Sequence, residues 1–206
     1  MKCKAIVLLL LCSYCVATNA QETKDTTKHQ KQRYYGYVYL NYSTGNLTQT
    51  YDPSIGSLAG SPTPIHFEGI NSVNDYKFNS TVAAGVNIGI MRDAAGYFDY
   101  YFVPILADVR VFIPISKIKL FVAADGGYIA SLSDAQPGRT TISPSIGITI
   151  PVSNKIGIAF TIGYEMQHYS TPYTLNFLTF DNSNSTTSGT ISETFNLFKF
   201  GVGITF

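Results

Sequence analysis

The sequence predicts an all-β fold, an antiparallel up-and-down transmembrane β-barrel of eight strands. Three observations carry that expectation. Apolar residues recur at every second position through most of the chain after residue 33, which is the period of a strand. The alternating runs are long enough to cross a bilayer, for which a tilted strand needs about 9–11 residues. Charged residues make up only 13% of the chain while Tyr and Phe number 15 and 13, a balance that suits a large lipid-facing surface.

Residues 1–20 read as a secretory signal peptide. Lys2 and Lys4 precede an apolar run from Ala5 to Leu11, and Thr18-Asn19-Ala20 offers small residues for cleavage after Ala20. The apolar run is too short to span a bilayer as a helix. Cys3, Cys12 and Cys15 all fall within this segment, so the expected mature chain has no disulfide and no thiolate metal site. Without Lys2 and Lys4, 12 basic residues face 13 acidic ones, a balance that argues against nucleic acid as a partner. Residues 21–33 are polar and aperiodic, as in a flexible leader, and residues 34–206 form the expected barrel domain.

The first strand is expected over Tyr34–Tyr42, aromatic and ambiguous in face. A second is placed in Pro64–Phe78, where alternation is poor, with a turn near Asn79-Ser80. Val82–Ile90, Tyr101–Ile113 and Ile118–Tyr128 follow, then Thr140–Val152. Lys155–Gln167 alternates most cleanly: Ile156, Ile158, Phe160, Ile162, Tyr164 and Met166 share one face, and Gly, Ala, Thr, Glu and Gln the other. Phe198–Phe206 ends the chain in the same way. The large apolar face points outward in this reading and the inner face is small and polar, the inverse of a soluble barrel. Connections alternate between short turns, such as Ser153-Asn154, and longer polar loops, chiefly Tyr42–Thr63 and Tyr169–Thr190. Outer membrane barrels have short periplasmic turns and longer external loops.

The last residues, with Lys199, Gly201, Ile204 and Phe206 in register, resemble the C-terminal signal read by the barrel assembly machinery. Gly36-Tyr-Val-Tyr-Leu40, Tyr76-Lys-Phe-Asn79, Val103 to Arg110, Ser143 to Gly147 and Gly163 to Gln167 resemble the outer membrane β-barrel family common in Bacteroidetes. This resemblance, to small barrels akin to the OmpA type, implies a location in the outer membrane of a Gram-negative bacterium. It also implies contact with outer membrane lipid and lipopolysaccharide, and no cofactor.

Candidate functional residues fall in three sets. Asp108, Arg110, Lys119, Asp125, Glu165, Glu193 and Lys199 take inward positions. Eight strands leave an interior just wide enough for side chains to fill, so these charges are expected to form a network that closes the lumen. The alternative is a narrow channel for ions or small solutes. Tyr34, Tyr35, Tyr37, Tyr97, Tyr100, Tyr101, Tyr164 and Tyr169 are expected as interfacial girdles. His168-Tyr169-Ser170 resembles a short piece of the lipid A deacylases, which implies ester hydrolysis with His168 as base and Ser170 as nucleophile. Here Thr171 stands where that family has Asn, and the nearby acids, Asp181 and Glu193, lie off its spacing. The expectation is a non-enzymatic barrel with a structural or surface-loop binding role, no metal site, and external ligands taken by its loops.

Overall fold

A computed structural model describes residues 34–51, 62–94, 100–115, 118–133, 136–153, 155–178 and 184–206. The expected signal peptide and polar leader lie outside the described residues. The chain folds into eight strands: β1 (Tyr34–Tyr51), β2 (Thr63–Lys77), β3 (Val82–Asp93), β4 (Tyr101–Ile115), β5 (Ile118–Ser131), β6 (Arg139–Pro151), β7 (Gly157–Leu178) and β8 (Asn184–Thr205). Each pairs antiparallel with its neighbours in sequence, and β1 pairs with β8 to close the barrel. Closure leaves no free edge within the barrel wall.

The turns at one end are tight because their side chains replace missing backbone partners. Asn79 Oδ1 accepts hydrogen bonds from the Thr81 and Val82 amides at 2.7 and 2.8 Å, turning β2 into β3. Ser153 Oγ accepts from the Ile156 amide at 3.1 Å between β6 and β7. Both chain ends of the barrel lie at this turn end, where Gly36 and Phe206 exchange two backbone hydrogen bonds of 3.0 Å.

Alternate side chains of a strand face opposite sides of the sheet, and the wall follows that rule closely. Ile146, Phe160, Ile162, Phe200, Val202 and Ile204 all point outward and are exposed, a continuous apolar exterior suited to lipid. Two prolines interrupt the ladder. The β3–β4 register skips Val103-Pro104 between Ile88 and Met91, and the β6–β7 register skips Ser143-Pro144 between Gly163 and Met166. Proline carries no N–H to give to a ladder, and each keeps its pairing on the other side, with Ile129 and Ala124 of β5.

Three sequence expectations need correction. Tyr42–Tyr51, Tyr169–Leu178 and Asn184–Thr190 are strand rather than loop, so β7 and β8 reach 22 residues each. The interior is not uniformly small and polar: Tyr37, Tyr39, Phe67, Phe112 and Phe121 are buried inside it. The small face comes from β6–β8, and it makes room for the large residues opposite. A Cβ on Gly203 would lie 2.7 Å from Tyr39 Cδ1, and one on Gly147 would collide with the Phe121 ring. Third, Tyr37 is a core residue rather than part of a girdle, and Tyr35, Tyr100 and Tyr169 pack partly against the interior clusters. Tyr34 and Tyr101 are exposed on the outside, Tyr164 hydrogen-bonds Asn196, and Tyr97 lies outside the described residues.

Candidate functional site

The lumen is filled in three layers. At the turn end, β1, β4 and β5 aim Tyr37, Tyr39, Phe112 and Phe121 inward. At the loop end, β2, β4 and β8 supply Phe67, Phe102, Phe195 and Leu197. Between the two aromatic plugs lies a belt of charged and amide side chains. The pocket among Asn41, Ser43, Asn71, Leu106, Glu165 and Lys199 measures about 20 Å³, the room of roughly one water.

Arg110 organises one half of the belt. Its Nε donates to Asp108 Oδ1 at 2.7 Å and lies 3.1 Å from Asp75 Oδ2, while Nη1 donates to the Tyr39 hydroxyl at 3.0 Å. Its guanidinium also sits 4.3 Å from the Tyr37 ring centroid, an attraction that strengthens where water is excluded. A ladder of amides crosses the barrel beside it: Asn41 donates to Asn71 at 3.0 Å, Asn71 to Asn87 at 2.8 Å, and Asn87 to Asp125 at 3.0 Å. Neighbouring inward positions on β1, β2 and β3, then β5, fix this order. On the far wall, Lys199 Nζ lies 3.6 Å from Glu165 Oε2. Gln167 donates to Glu165 at 2.7 Å and accepts from Arg139 at 3.0 Å. Arg139 then lies over the Phe195 and Phe102 rings at 4.2 and 4.4 Å, which ties the belt to the loop-end plug.

Of the seven charges expected inside, Asp108, Arg110, Asp125, Glu165 and Lys199 come together in this belt. Lys119 and Glu193 do not. Lys119 is exposed at the turn end with Nζ 5.2 Å from the Tyr35 ring, and Glu193 accepts from Gln49 at 2.7 Å near the loop end. Both have the inward parity, but the belt occupies only the middle of each strand. Sequence reasoning missed Asp75 and Arg139. Asp75 carries its own signal, because a carboxylate in a membrane strand cannot face lipid; it sets the inward row Ile65, Phe67, Asn71, Val73 and Asp75 of β2. Arg139 was hidden by its neighbours Pro137 and Gly138, which read as loop.

His168 and Ser170 lie on the outer face near the upper limit of β6, where Thr140 pairs with His168. Ser170 Oγ stands 3.4 Å from His168 Nε2 and 3.0 Å from Ser192 Oγ, and His168 Nδ1 meets Thr194 Oγ1 at 3.2 Å. The hydroxyl of Thr194 thus occupies the place where a triad needs a carboxylate. Glu193 has the opposite parity, and Asp181 lies outside the described residues. Lys199, Gly201 and Ile204 lie in the closing end of β8 and Phe206 just beyond it, with the Phe206 ring against Gly36. No group of three His, Cys, Asp or Glu side chains among the described residues is placed to hold a metal ion.

Among the described residues, β7 has no partner in β6 beyond His168, and β8 has none in β1 beyond Ile191. Tyr169–Leu178 and Asn184–Thr190 continue as a two-stranded ribbon, braced at its base by Thr48–Tyr51 of β1. At about 3.3 Å per residue the free stretch of β7 runs on the order of 30 Å. Ser170, Thr174, Thr186, Ser188 and Thr190 alternate along it on one face.

No protein-family model matches the chain, and no curated protein matches it in sequence. Solved structures do. The outer membrane protein OprG from Pseudomonas aeruginosa superposes with a TM-score of 0.57 at 7% identity, over 84% of this chain and 94% of that one. A de novo designed transmembrane β-barrel gives 0.44 at 12% identity over 87% and 98%, and Neisserial surface protein A 0.43 at 11% over 82% and 95%. The likeness to OprG, together with the closed eight-strand ladder and the apolar exterior, makes this chain a small β-barrel with the fold of an outer membrane protein.

Proposed function

We propose that the chain is a non-enzymatic barrel of the Bacteroidetes type, resident in the outer membrane of a Gram-negative bacterium after loss of its signal peptide. The lumen is shut, and the β7–β8 ribbon is displayed to the exterior as a binding surface. The observation that carries this reading is the mismatch in strand length: β7 and β8 have 22 residues each, whereas β2–β6 have 12 to 15. A bilayer needs only about 9–11 residues of tilted strand, so the excess has no role in spanning. Short turns facing the periplasm put the ribbon outside. Its hydroxyl-bearing face and the adjacent row His168, Ser170, Ser192 and Thr194 suit polar, sugar-bearing surfaces, lipopolysaccharide of the same leaflet included.

The test replaces residues 171–191 by a two-residue turn in cells that display the protein. Binding of those cells to a panel of immobilised polysaccharides and matrix proteins is then compared with cells carrying the intact chain. Loss of at least one binding activity, with the barrel still inserted, supports display. An unchanged panel sinks it.

A further inference from the structure

The apolar outer wall is interrupted on β2. The inward row of that strand holds Asn71, Val73 and Asp75, so Ser72 and Asn74 point outward, and both are half-buried on the wall. Asn74 lies midway between Ile70 and Phe78, two exposed apolar residues of the same parity. Its ladder partners are Gly36 on β1 and Val86 on β3, and those of Ser72 are Val38 and Ile88. The pair therefore sits inside the apolar band and not at its rim. Among the described residues, the other strands carry only aliphatic, aromatic, Met, Gly or Pro residues at outward positions of this band. That holds from the turn end up to Tyr42, Ile90, Tyr128, Ile142, Met166 and Phe198, and throughout β4.

Lipid tails offer no hydrogen bond, and an amide placed in hydrocarbon without one is costly. The pair offsets little of that cost by itself. Asn74 Nδ2 donates to Ser72 Oγ at 3.3 Å, a long bond that uses one amide hydrogen. The carboxamide oxygen and the other hydrogen have no partner among the described residues. Headgroups and water lie at the bilayer surfaces, so at this height the remaining source of partners is another protein wall. Polar side chains join membrane-spanning segments through hydrogen bonds across a close contact. The neighbouring outward residues permit close approach, because Val38 on β1 and Ala84 and Val86 on β3 are short. The chemistry of the amide selects the occupant. It carries both a donor and an acceptor and is complementary to itself. Copies of one chain insert in the same direction, so a two-fold axis along the membrane normal brings each Asn74 to the height of its counterpart.

We infer that the β1–β3 wall is a homodimer interface within the membrane, closed by reciprocal hydrogen bonds between the Asn74 carboxamides of two copies. It requires only that this wall face lipid, and it is independent of any display role of the ribbon.

The test uses residues 21–206, which contain no cysteine, refolded into phosphatidylcholine vesicles. Copies labelled through Lys155→Cys with a donor or an acceptor fluorophore are mixed, and energy transfer is followed as added lipid dilutes the protein. Transfer above that of randomly distributed copies is expected. Asn74→Leu should raise the apparent dissociation constant about tenfold and should fold like the parent, since Leu suits a lipid-facing site. Unlabelled Ser72→Cys should give a disulfide-linked dimer under a membrane-permeant oxidant, whereas Ile146→Cys, on the exposed face of β6, should not. Random transfer in the folded parent at every dilution overturns the inference, as does an unchanged dissociation constant in Asn74→Leu. Cross-linking through Ile146→Cys and not through Ser72→Cys would put the contact on another wall and overturn it too. So would a parent that is monomeric alone and associates through this wall only with a different outer membrane protein.

Discussion

Arg110 holds two carboxylates, a tyrosine hydroxyl and the face of a ring in one buried position. Its replacement by Ala leaves Asp75 and Asp108 without a counter-charge, and breaking a buried pair from one side costs about 3–5 kcal/mol. Urea unfolding in vesicles should show a loss of that order. The Arg92–Glu68 pair, at 3.0 Å, makes the contrast, with side chains 41% and 52% exposed. Glu68→Gln should cost at most about 1 kcal/mol, as exposed pairs do. Packing sets a second limit at this scale. Gly147 is small because the Phe121 ring occupies the space above it, so Gly147→Val should overpack the turn-end plug and cost about 1–3 kcal/mol.

Strands that face lipid on one side and small residues on the other were legible in the sequence. Ile156 to Gln167 could be read by period two alone, and the turn placed near Asn79-Ser80 is where Asn79 turns β2 into β3, although the strand before it alternates poorly. The extensions of β1, β7 and β8 were not. Once a strand leaves the membrane, its outer face no longer has to be apolar, and Ser, Thr and Asn on both sides look like loop. The same physics hid the interior aromatics of β1, where Tyr37 and Val38 face opposite ways though both are large. In the lumen, parity brought out five of the belt's charges, while Asp75 was obscured by the weak alternation of β2. An extension with no partner on its sides among the described residues should be separable from the barrel. Replacing residues 171–191 by a two-residue turn should leave folding and heat-modifiable gel migration unchanged; a chain that no longer folds would show that the ribbon belongs to the folding unit. On the outer wall, Thr194 at His168 Nδ1 leaves the imidazole without the carboxylate that would strengthen it as a base. Ester hydrolysis by the refolded protein should therefore equal the micelle blank, and Ser170→Ala should not change it. Hydrolysis that depends on Ser170 would reinstate the enzymatic reading.

Across the whole molecule, the two aromatic plugs act in series. The turn-end plug closes around Arg110 and the loop-end plug around Arg139, with about 20 Å³ of space in the pocket between them. A hydrated ion needs a continuous water column, and either plug alone interrupts it. The refolded mature protein should therefore be silent in a planar bilayer recording. Phe121→Ala opens only the turn-end plug, at a cost of about 3–5 kcal/mol, and should stay silent because Phe67, Phe102 and Phe195 still close the other end. Discrete openings in the parent would mean that the plugs move, and would bring the narrow-channel reading forward. In that case the lumen's four buried carboxylates against the three bases Arg110, Arg139 and Lys199 predict a weak cation selectivity, reduced by neutralising Glu165. Silence in both proteins, with folding verified, leaves the ribbon and outer wall as the surfaces on which the proposed binding role rests.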